Sequence, residues 1–166
     1  MVSDNFRNKV SVVIVNWNGE QFLERCLIAL LAQTVKPHEI ILLDNASSDG
    51  SVDIVRRFPL VRLIELDQNT GFARGNNLAI KAASDDSEWI ALINPDAFAE
   101  PQWLEALLHA AATHSEFDVF GSKLLNAGDP TLLDGVGDAY HVSGLVWRTG
   151  HGEPVSTFAE TECEVF

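Results

Sequence analysis

The chain contains five short runs in which apolar and β-branched residues dominate. They cover residues 10–15, 39–44, 61–66, 88–93 and 117–125. The first four are mostly continuous rather than alternating in hydrophobicity, which is typical of strands that are buried on both faces of a parallel sheet. Their spacing is close to the roughly 30 residues of one β-α-β unit, so we predict five strands with helical segments between them.

Helical patterns occupy the intervals between these runs. Apolar residues recur every three or four positions in residues 20–33, which predicts an amphipathic helix. Ser48 or Asp49 can cap a short second helix. A weaker third pattern spans residues 71–83, and a fourth spans residues 101–113. Alternating strands and helices predict an open, mostly parallel, doubly wound α/β sheet with helices on both faces, a Rossmann-like architecture.

The pattern changes after residue 125. Residues 126–166 are richer in Gly, Asp and Thr and carry no long periodic helix. We therefore divide the chain into an α/β domain at residues 1–125 and a second region at residues 126–166.

Composition narrows the class of protein further. With 166 residues, 46% hydrophobic and 21% charged, the chain is of ordinary globular composition. Two cysteines are too few for a secreted disulfide framework. Eleven Lys and Arg against 24 Asp and Glu give a net charge of −13, which disfavours nucleic acid as a partner. The sequence shows neither a signal peptide nor a transmembrane run, so we expect no membrane span and a cytoplasmic location.

Polar residues are concentrated directly after the first four predicted strands. Asn16 to Gly19 follow the first, Asp44 to Ser51 the second, Asp67 to Phe72 the third, and Asn94 to Asp96 the fourth. In an open α/β sheet, ligands bind outside the carboxyl ends of the strands. Each loop by itself is consistent with a plain turn, but four together favour a binding site at this edge.

Common phosphate and zinc motifs do not account for this edge. The closest string to GxGxxG, at residues 135–140, lacks the third glycine, and there is no P-loop or HExxH sequence. Carboxylates and amides remain, and a divalent ion held by one or two carboxylates and by substrate phosphates suits them. Asp96 is the best ligand candidate because Pro95 stiffens its turn; the alternative is a turn without a ligand. Asp44 could cap the following helix or accept a hydrogen bond from a nucleotide base.

Five motifs occur in an order that resembles one known family. They read VSVVIVNWNG, IILLDNASSDGS, QNTGFARGNN, ALINPDA and FGSKLL. In this order they resemble the family 2 inverting glycosyltransferases of the GT-A fold, in particular a bacterial branch that includes rhamnosyltransferases. The resemblance implies that residues 1–125 are the nucleotide-sugar-binding half of such an enzyme.

The resemblance also implies roles for individual residues. Asp44 would recognise the nucleotide base, Gly71 and the stretch to Asn77 would wrap the nucleotide, and Asn94 would contact the donor. The remaining residues implied to bind the nucleotide sugar are Asn16, Trp17 and Asn45.

Asn94, Pro95 and Asp96 would be this branch's version of the DxD motif. Asp96 would bind Mg²⁺ or Mn²⁺ together with the donor diphosphate. Asn94 replaces the first carboxylate of that motif, so the metal site relies more on the phosphates.

The activity implied is transfer of a sugar, such as a hexosyl or rhamnosyl group, from a nucleotide-diphosphate sugar to an acceptor hydroxyl, with inversion. The acceptor would be a glycan or a lipid-linked molecule in cell-surface polysaccharide synthesis, and the full-length protein would be cytoplasmic or membrane-peripheral. Residues 126–166 would begin the acceptor side. No residue of this chain is assigned as catalytic, because the general base is expected beyond Phe166. The oligomeric state is left open.

Two alternatives remain on the sequence alone. The first is a catalytically silent module that binds a nucleotide sugar without transferring it. The second is a nucleotidyltransferase, which shares an α/β sheet and metal-bound phosphates. Such enzymes normally carry a glycine-rich, basic loop after the first strand, and the Asn16 to Gly19 loop contains no Lys or Arg.

Overall fold

A computed structural model of the protein describes residues 9–158. Four parallel strands form the central sheet, and their spatial order is β3-β2-β1-β4. Their bounds are β1 Val10–Asn16, β2 Glu39–Asp44, β3 Val61–Glu65 and β4 Trp89–Leu92. The register places Asn16 beside Asp44, and Asp44 beside Glu65, so β1, β2 and β3 end at the same level.

A helix follows each of these strands. The bounds are α1 Glu20–Leu31, α2 Ser51–Arg56, α3 Phe72–Lys81 and α4 Trp103–Thr113. Each lies within one of the segments in which a helix was predicted from the sequence. The α2 helix begins after Gly50, and no side chain caps it at that position.

The sheet is covered on both faces, as predicted. Side chains alternate along β1, so Val12 and Ile14 pack with apolar residues of α1, α2 and α4 on one face. Val13 and Val15 point to the other face and pack with Ala79 of α3. The strands read as continuous apolar runs because both of their faces are buried. The doubly wound α/β fold is therefore confirmed.

Within the described part of the chain, residues 109–158 form a second compact unit, while the first ends at Leu108. The second unit contains two small antiparallel pairs and a short 3₁₀ helix at Val155–Phe158. The pairs join β5 Leu124–Leu125 to β6 Leu133–Gly135, and β7 Asp138–Tyr140 to β8 Val146–Arg148. The division at residue 125 stays a prediction.

The fifth predicted strand, residues 117–125, is wrong as a member of the parallel sheet. Only Leu124 and Leu125 lie in a strand, and they pair antiparallel with β6. Phe117 is 39% exposed and Val119 is 87% exposed. An apolar run becomes a central strand only where both faces are covered, and these side chains lack that burial.

Within residues 9–158, no helix combines the length and the apolar character that crossing a bilayer requires. Cys26 lies buried in α1, as expected for a small apolar residue. The second cysteine, Cys163, lies outside the described residues.

Candidate functional site

The loops that follow β1, β2, β3 and β4 meet at the carboxyl edge of the sheet. They surround an open cleft of about 510 Å³. Its lining residues are Val15, Trp17, Asn18, Gly19, Phe22, Asn45, Asn69, Gly71, Phe72, Asn94, Pro95 and Asp96. All four strand-end loops named from the sequence contribute to this cleft.

The residues implied by the family resemblance occupy three kinds of position. Lining the cleft are Trp17, Asn45, Gly71, Asn94 and Asp96. Asn16 and Asp44 lie buried beneath it, and Asn77 is exposed on α3 outside the lining. Trp17 presents a side chain that is 60% exposed.

Asp44 is 2% exposed, and hydrogen bonds engage both of its carboxylate oxygens. Asn16 Nδ2 donates to Oδ1 at 2.9 Å, and the Ser47 hydroxyl donates to the same oxygen at 2.6 Å. The Ser47 backbone N–H donates to Oδ2 at 2.8 Å, which closes a turn of the kind Asp favours. Asp44 therefore organises the loop that follows β2, and it does not cap α2.

Asn16 is fully buried beside Asp44 and explains the glycine at position 19. Its Oδ1 has no hydrogen-bond partner among residues 9–158, and a Cβ built on Gly19 would lie 2.2 Å from that oxygen. The same Cβ would lie 3.5 Å from Cβ of Pro95. The contact with Pro95 is ordinary van der Waals contact, so the Asn16 side chain is what excludes a Cβ at position 19.

Reciprocal hydrogen bonds join the loops after β1 and β2. Asn18 Oδ1 accepts from the Ser48 N–H at 2.8 Å, and the Asn18 N–H donates to Ser47 Oγ at 2.9 Å. Two residues after Asn18, Glu20 makes a second set of hydrogen bonds: its N–H donates to Asp49 Oδ2, and its Oε2 accepts from the Gly50 N–H.

Burial raises the pKa of Asp49, but hydrogen bonds from Ser51 and the Glu20 N–H outweigh it and leave that pKa below its ordinary value. Sequence reasoning missed this network. Its signal was the pair of loops rich in short hydrogen-bonding side chains at the ends of adjacent strands.

Asp96 is presented by a tight turn at the end of β4. The Ala97 N–H donates to the Asn94 carbonyl oxygen at 3.1 Å, so Pro95 and Asp96 occupy the centre of a four-residue turn. Behind this turn, the Arg25 guanidinium lies 3.8 Å from the centroid of the Phe98 ring, which is a cation–π geometry. This contact joins the segment that directly follows the turn to α1.

The Asp96 carboxylate suits a shared metal site. In the described part of the chain it forms no hydrogen bond or salt bridge, and it is exposed to the cleft. Those residues contain no cluster of three His, Cys, Asp or Glu side chains that could hold an ion alone. A divalent ion bound by one carboxylate and completed by substrate phosphates fits this arrangement.

Burial, with the Asp96 charge nearby, raises the pKa of the Cys26 thiol to about 12, so the thiol stays protonated.

The parallel four-stranded sheet with helices on both faces is similar to the structures of GT-A glycosyltransferases, and this is the fold class of the chain. The sequence profile of Glycosyl transferase family 2 matches residues 11–136, and the chain belongs to that family. The resemblance drawn from the motifs is confirmed. Neither the silent module nor the nucleotidyltransferase is favoured by this match.

Individual relatives agree with this assignment. An N-acetylglucosaminyl-diphospho-decaprenol L-rhamnosyltransferase of Mycobacterium tuberculosis is 35% identical over 111 residues, which cover 61% of this chain and 36% of that protein. The structure of S. aureus TarS in complex with UDP-GlcNAc matches with a TM-score of 0.59 at 22% identity, over 64% of this chain and 32% of that one.

Mannosyltransferase PcManGT from Pyrobaculum calidifontis, in complex with GDP-Man and Mn²⁺, matches with a TM-score of 0.57 at 24% identity, over 83% of this chain and 36% of that one. At these identities the likeness of the two structures shows the fold alone. The chain spans about a third of the length of the proteins it matches.

Proposed function

We propose that this chain is the donor-binding part of an enzyme that transfers a sugar from a nucleoside-diphosphate sugar to an acceptor hydroxyl with inversion. The observation that carries the proposal is the cleft at the carboxyl edge, into which Asp96 places a carboxylate with no partner in residues 9–158. Family membership and the names of the relatives, which include a rhamnosyltransferase and a mannosyltransferase, support the same reaction class.

The lining of the cleft suits a nucleoside diphosphate that arrives with a metal ion. Among the described residues that line it, none is Lys or Arg. The negative charge of a diphosphate therefore needs another source of compensation, and Asp96 is the residue that would hold Mg²⁺ or Mn²⁺. Such an ion, when bound, neutralises the charge that develops on the leaving diphosphate. Asn94 is uncharged, so it adds no negative charge beside the diphosphate.

The remaining lining residues bind and orient the donor. Trp17 offers an exposed aromatic face at one wall, on which a base can stack. Gly71 has a φ of 82° and no side chain, so the opposite wall allows close approach of the ligand to the backbone. The resemblance also implied nucleotide contacts for Asp44, Asn16 and Asn77. Asp44 and Asn16 are buried beneath the cleft, so within this proposal they support base recognition by holding the loop after β2. Asn77 lies outside the lining of the cleft.

The proposal also covers the acceptor and its deprotonation. We infer that the acceptor is a glycan or a lipid-linked molecule and that the product enters cell-surface polysaccharide, and we assign no residue of this chain as the general base. Transfer with inversion needs a base that removes the acceptor proton, in addition to the charge stabilisation at the donor. A cytoplasmic or membrane-peripheral location fits these roles.

Metal-dependent nucleotide binding tests the proposal directly. Thermal unfolding is followed with UDP, GDP or dTDP, each with and without Mn²⁺. At a nucleotide concentration near 100 times Kd, binding stabilises the folded state by about 2.7 kcal/mol. For a chain of this size that corresponds to a rise of roughly 5–10 °C in Tm. We expect this rise for at least one nucleotide, and a larger rise with Mn²⁺ than without it.

Two variants separate the metal site from general charge effects. Asp96→Ala should remove the Mn²⁺ increment while leaving Tm without ligand nearly unchanged, because its carboxylate is exposed. Asp85→Ala is the matched control: Asp85 is also exposed but lies before β4, at the amino end of that strand. The proposal fails if no nucleotide shifts Tm, or if Asp96→Ala and Asp85→Ala lose the Mn²⁺ increment equally.

A further inference from the structure

We propose that Asn45 is a positioning residue: its buried side-chain amide holds the wall formed by residues 69–72 at the width the donor needs, without itself contacting the donor. The family resemblance implied a direct contact with the nucleotide sugar. The inference rests on the proposed function for the identity of the ligand, but the hydrogen bonds behind it do not depend on any ligand.

The Asn45 amide is saturated within the protein. Its Nδ2 donates to Asn69 Oδ1 at 3.0 Å and to the Gly71 carbonyl oxygen at 3.3 Å. Its Oδ1 accepts from the Thr70 N–H at 2.8 Å and from the Thr70 hydroxyl at 3.2 Å. A primary amide has two N–H donors and two acceptor lone pairs, so all four are engaged. The residue is 2% exposed. Asn45 therefore has nothing left with which to bind a donor.

The backbone of Asn45 belongs to the sheet rather than to the wall. Its N–H donates to the Asn16 carbonyl oxygen at 2.8 Å, which continues the ladder between β1 and β2. The wall, in contrast, is a turn: Asn69 Oδ1 accepts from the Gly71 N–H at 2.8 Å, and Gly71 has a positive φ. The side chain of Asn45 thus links a rigid element to a loop that lacks ladder hydrogen bonds of its own.

The first turn of α3 closes over this link. The Gly71 carbonyl oxygen that accepts from Asn45 also accepts from the Gly75 N–H at 3.0 Å. A Cβ built on Gly75 would lie 3.6 Å from Asn45 Nδ2 and 2.9 Å from Cγ1 of Val15. The start of α3, the wall and the sheet are therefore fixed to one another at this amide. Because Asn69, Gly71 and Phe72 line the cleft, a shift of the wall changes the width of the cleft.

Hydrogen exchange without ligand tests the positioning directly. In Asn45→Ala we expect the amides of Thr70 and Gly71 to exchange at least tenfold faster than in the wild type. The Thr70 N–H loses its acceptor, Asn45 Oδ1. The acceptor of the Gly71 N–H, Asn69 Oδ1, loses the hydrogen bond from Asn45 that holds it in place. Gln33→Ala is the matched control. Gln33 is also a buried amide, 1% exposed, with hydrogen bonds to the carbonyl oxygens of Ala29 and Glu100. It lies past the end of α1, roughly 16 Å along the helix from Phe22, which lines the cleft.

A double-mutant cycle on nucleotide affinity separates positioning from contact. The Kd for UDP, GDP or dTDP with Mn²⁺, whichever binds the wild type, is measured for Asn45→Ala, Asn69→Ala and the double variant. We expect Asn45→Ala to weaken binding at least tenfold and the double variant to match it within twofold, because both act through one wall. Asn69 is exposed, so Asn69→Ala folds even where Asn45→Ala is unstable, and it should weaken binding by itself. Gln33→Ala should leave Kd within twofold of the wild type.

Several results would overturn the inference. Unchanged exchange at Thr70 and Gly71 in Asn45→Ala would show that the amide does not hold the wall. Multiplying effects of the two substitutions on Kd, together with unchanged exchange at Thr70 and Gly71, would show that Asn45 contacts the ligand independently of the wall. Equal loss of affinity in Gln33→Ala would show only a general effect of a lost buried amide. If the wild type binds no nucleotide, the proposed function fails, and the exchange experiment still decides the role of Asn45.

Discussion

Replacing Gly19 by Ala should destabilise the protein through one contact. The backbone at Gly19 has a φ of −99°, which alanine adopts without strain. The difficulty is the 2.2 Å distance between the new Cβ and Asn16 Oδ1. Since real Cβ atoms do not approach an oxygen so closely, the Asn16 side chain must move. That side chain is fully buried and anchored to Asp44 and Ser47.

The size of the effect follows from what Asn16 loses. Its hydrogen bond to the Asp44 carboxylate contributes about 1.5–3 kcal/mol, and the weaker one to the Ser47 hydroxyl about 0.5–1.5 kcal/mol. If Asn16 keeps part of these bonds after it moves, the loss of stability is smaller. Alanine also reduces the conformational entropy of the unfolded chain relative to glycine, which offsets about 0.4–1 kcal/mol of the destabilisation. We expect a net destabilisation of about 2 kcal/mol. In a chain of this size that lowers Tm by roughly 4–8 °C.

Thermal unfolding by circular dichroism measures this shift. Gly128→Ala is the control, because a Cβ there would meet only Asn126 Oδ1 at 3.4 Å, an ordinary contact. Its Tm should stay within about 2 °C of the wild type, as expected for a surface change of under about 0.5 kcal/mol. A Gly19→Ala protein with the Tm of the wild type would refute the reasoning, since Asn16 would then have room to move without loss.

Two further predictions concern titratable groups. Cys26 is fully buried, so an alkylating reagent at pH 8 should leave its thiol unmodified in the folded protein and modify it in denaturant. Mass spectrometry of the peptide that contains Cys26 measures the modification. Rapid labelling of the folded protein would contradict this burial. Hydrogen bonds from Lys9 and Ser84 hold the pKa of Asp86 below its ordinary value. The stabilisation that these hydrogen bonds give the folded protein is complete above about pH 4, the pKa of Asp in the unfolded chain. It is lost as the pH falls toward the lower pKa of Asp86 in the folded state. Lys9→Met should raise that pKa in a carboxyl NMR titration, and an unchanged pKa would mean that the pairing with Lys9 is absent.

The sequence alone determined the α/β sheet and the edge of the sheet at which the cleft lies. Continuous apolar runs and three-to-four-residue helical periods are local signals, and they located four strands and four helices. Polar residues at Asn16, Asp44, Asn69 and Asp96 then fell at one edge, because parallel strands of similar length end together. Recognition of the family followed from the order of five short motifs, and the match to residues 11–136 confirms it.

Only the tertiary structure decided which loop each of these polar side chains holds by hydrogen bonds. Asp44 and Asn45 are neighbours in the sequence with polar side chains of the same size and shape, yet one anchors the loop after β2 and the other holds the loop after β3. The difference depends on partners that lie far away along the chain: Thr70 is 25 residues from Asn45, and Asn16 is 28 residues from Asp44. The run at residues 117–125 failed as a central strand for the same physical reason. Hydrophobicity is a property of the residue, whereas burial and hydrogen-bond partnership depend on which distant elements pack against it.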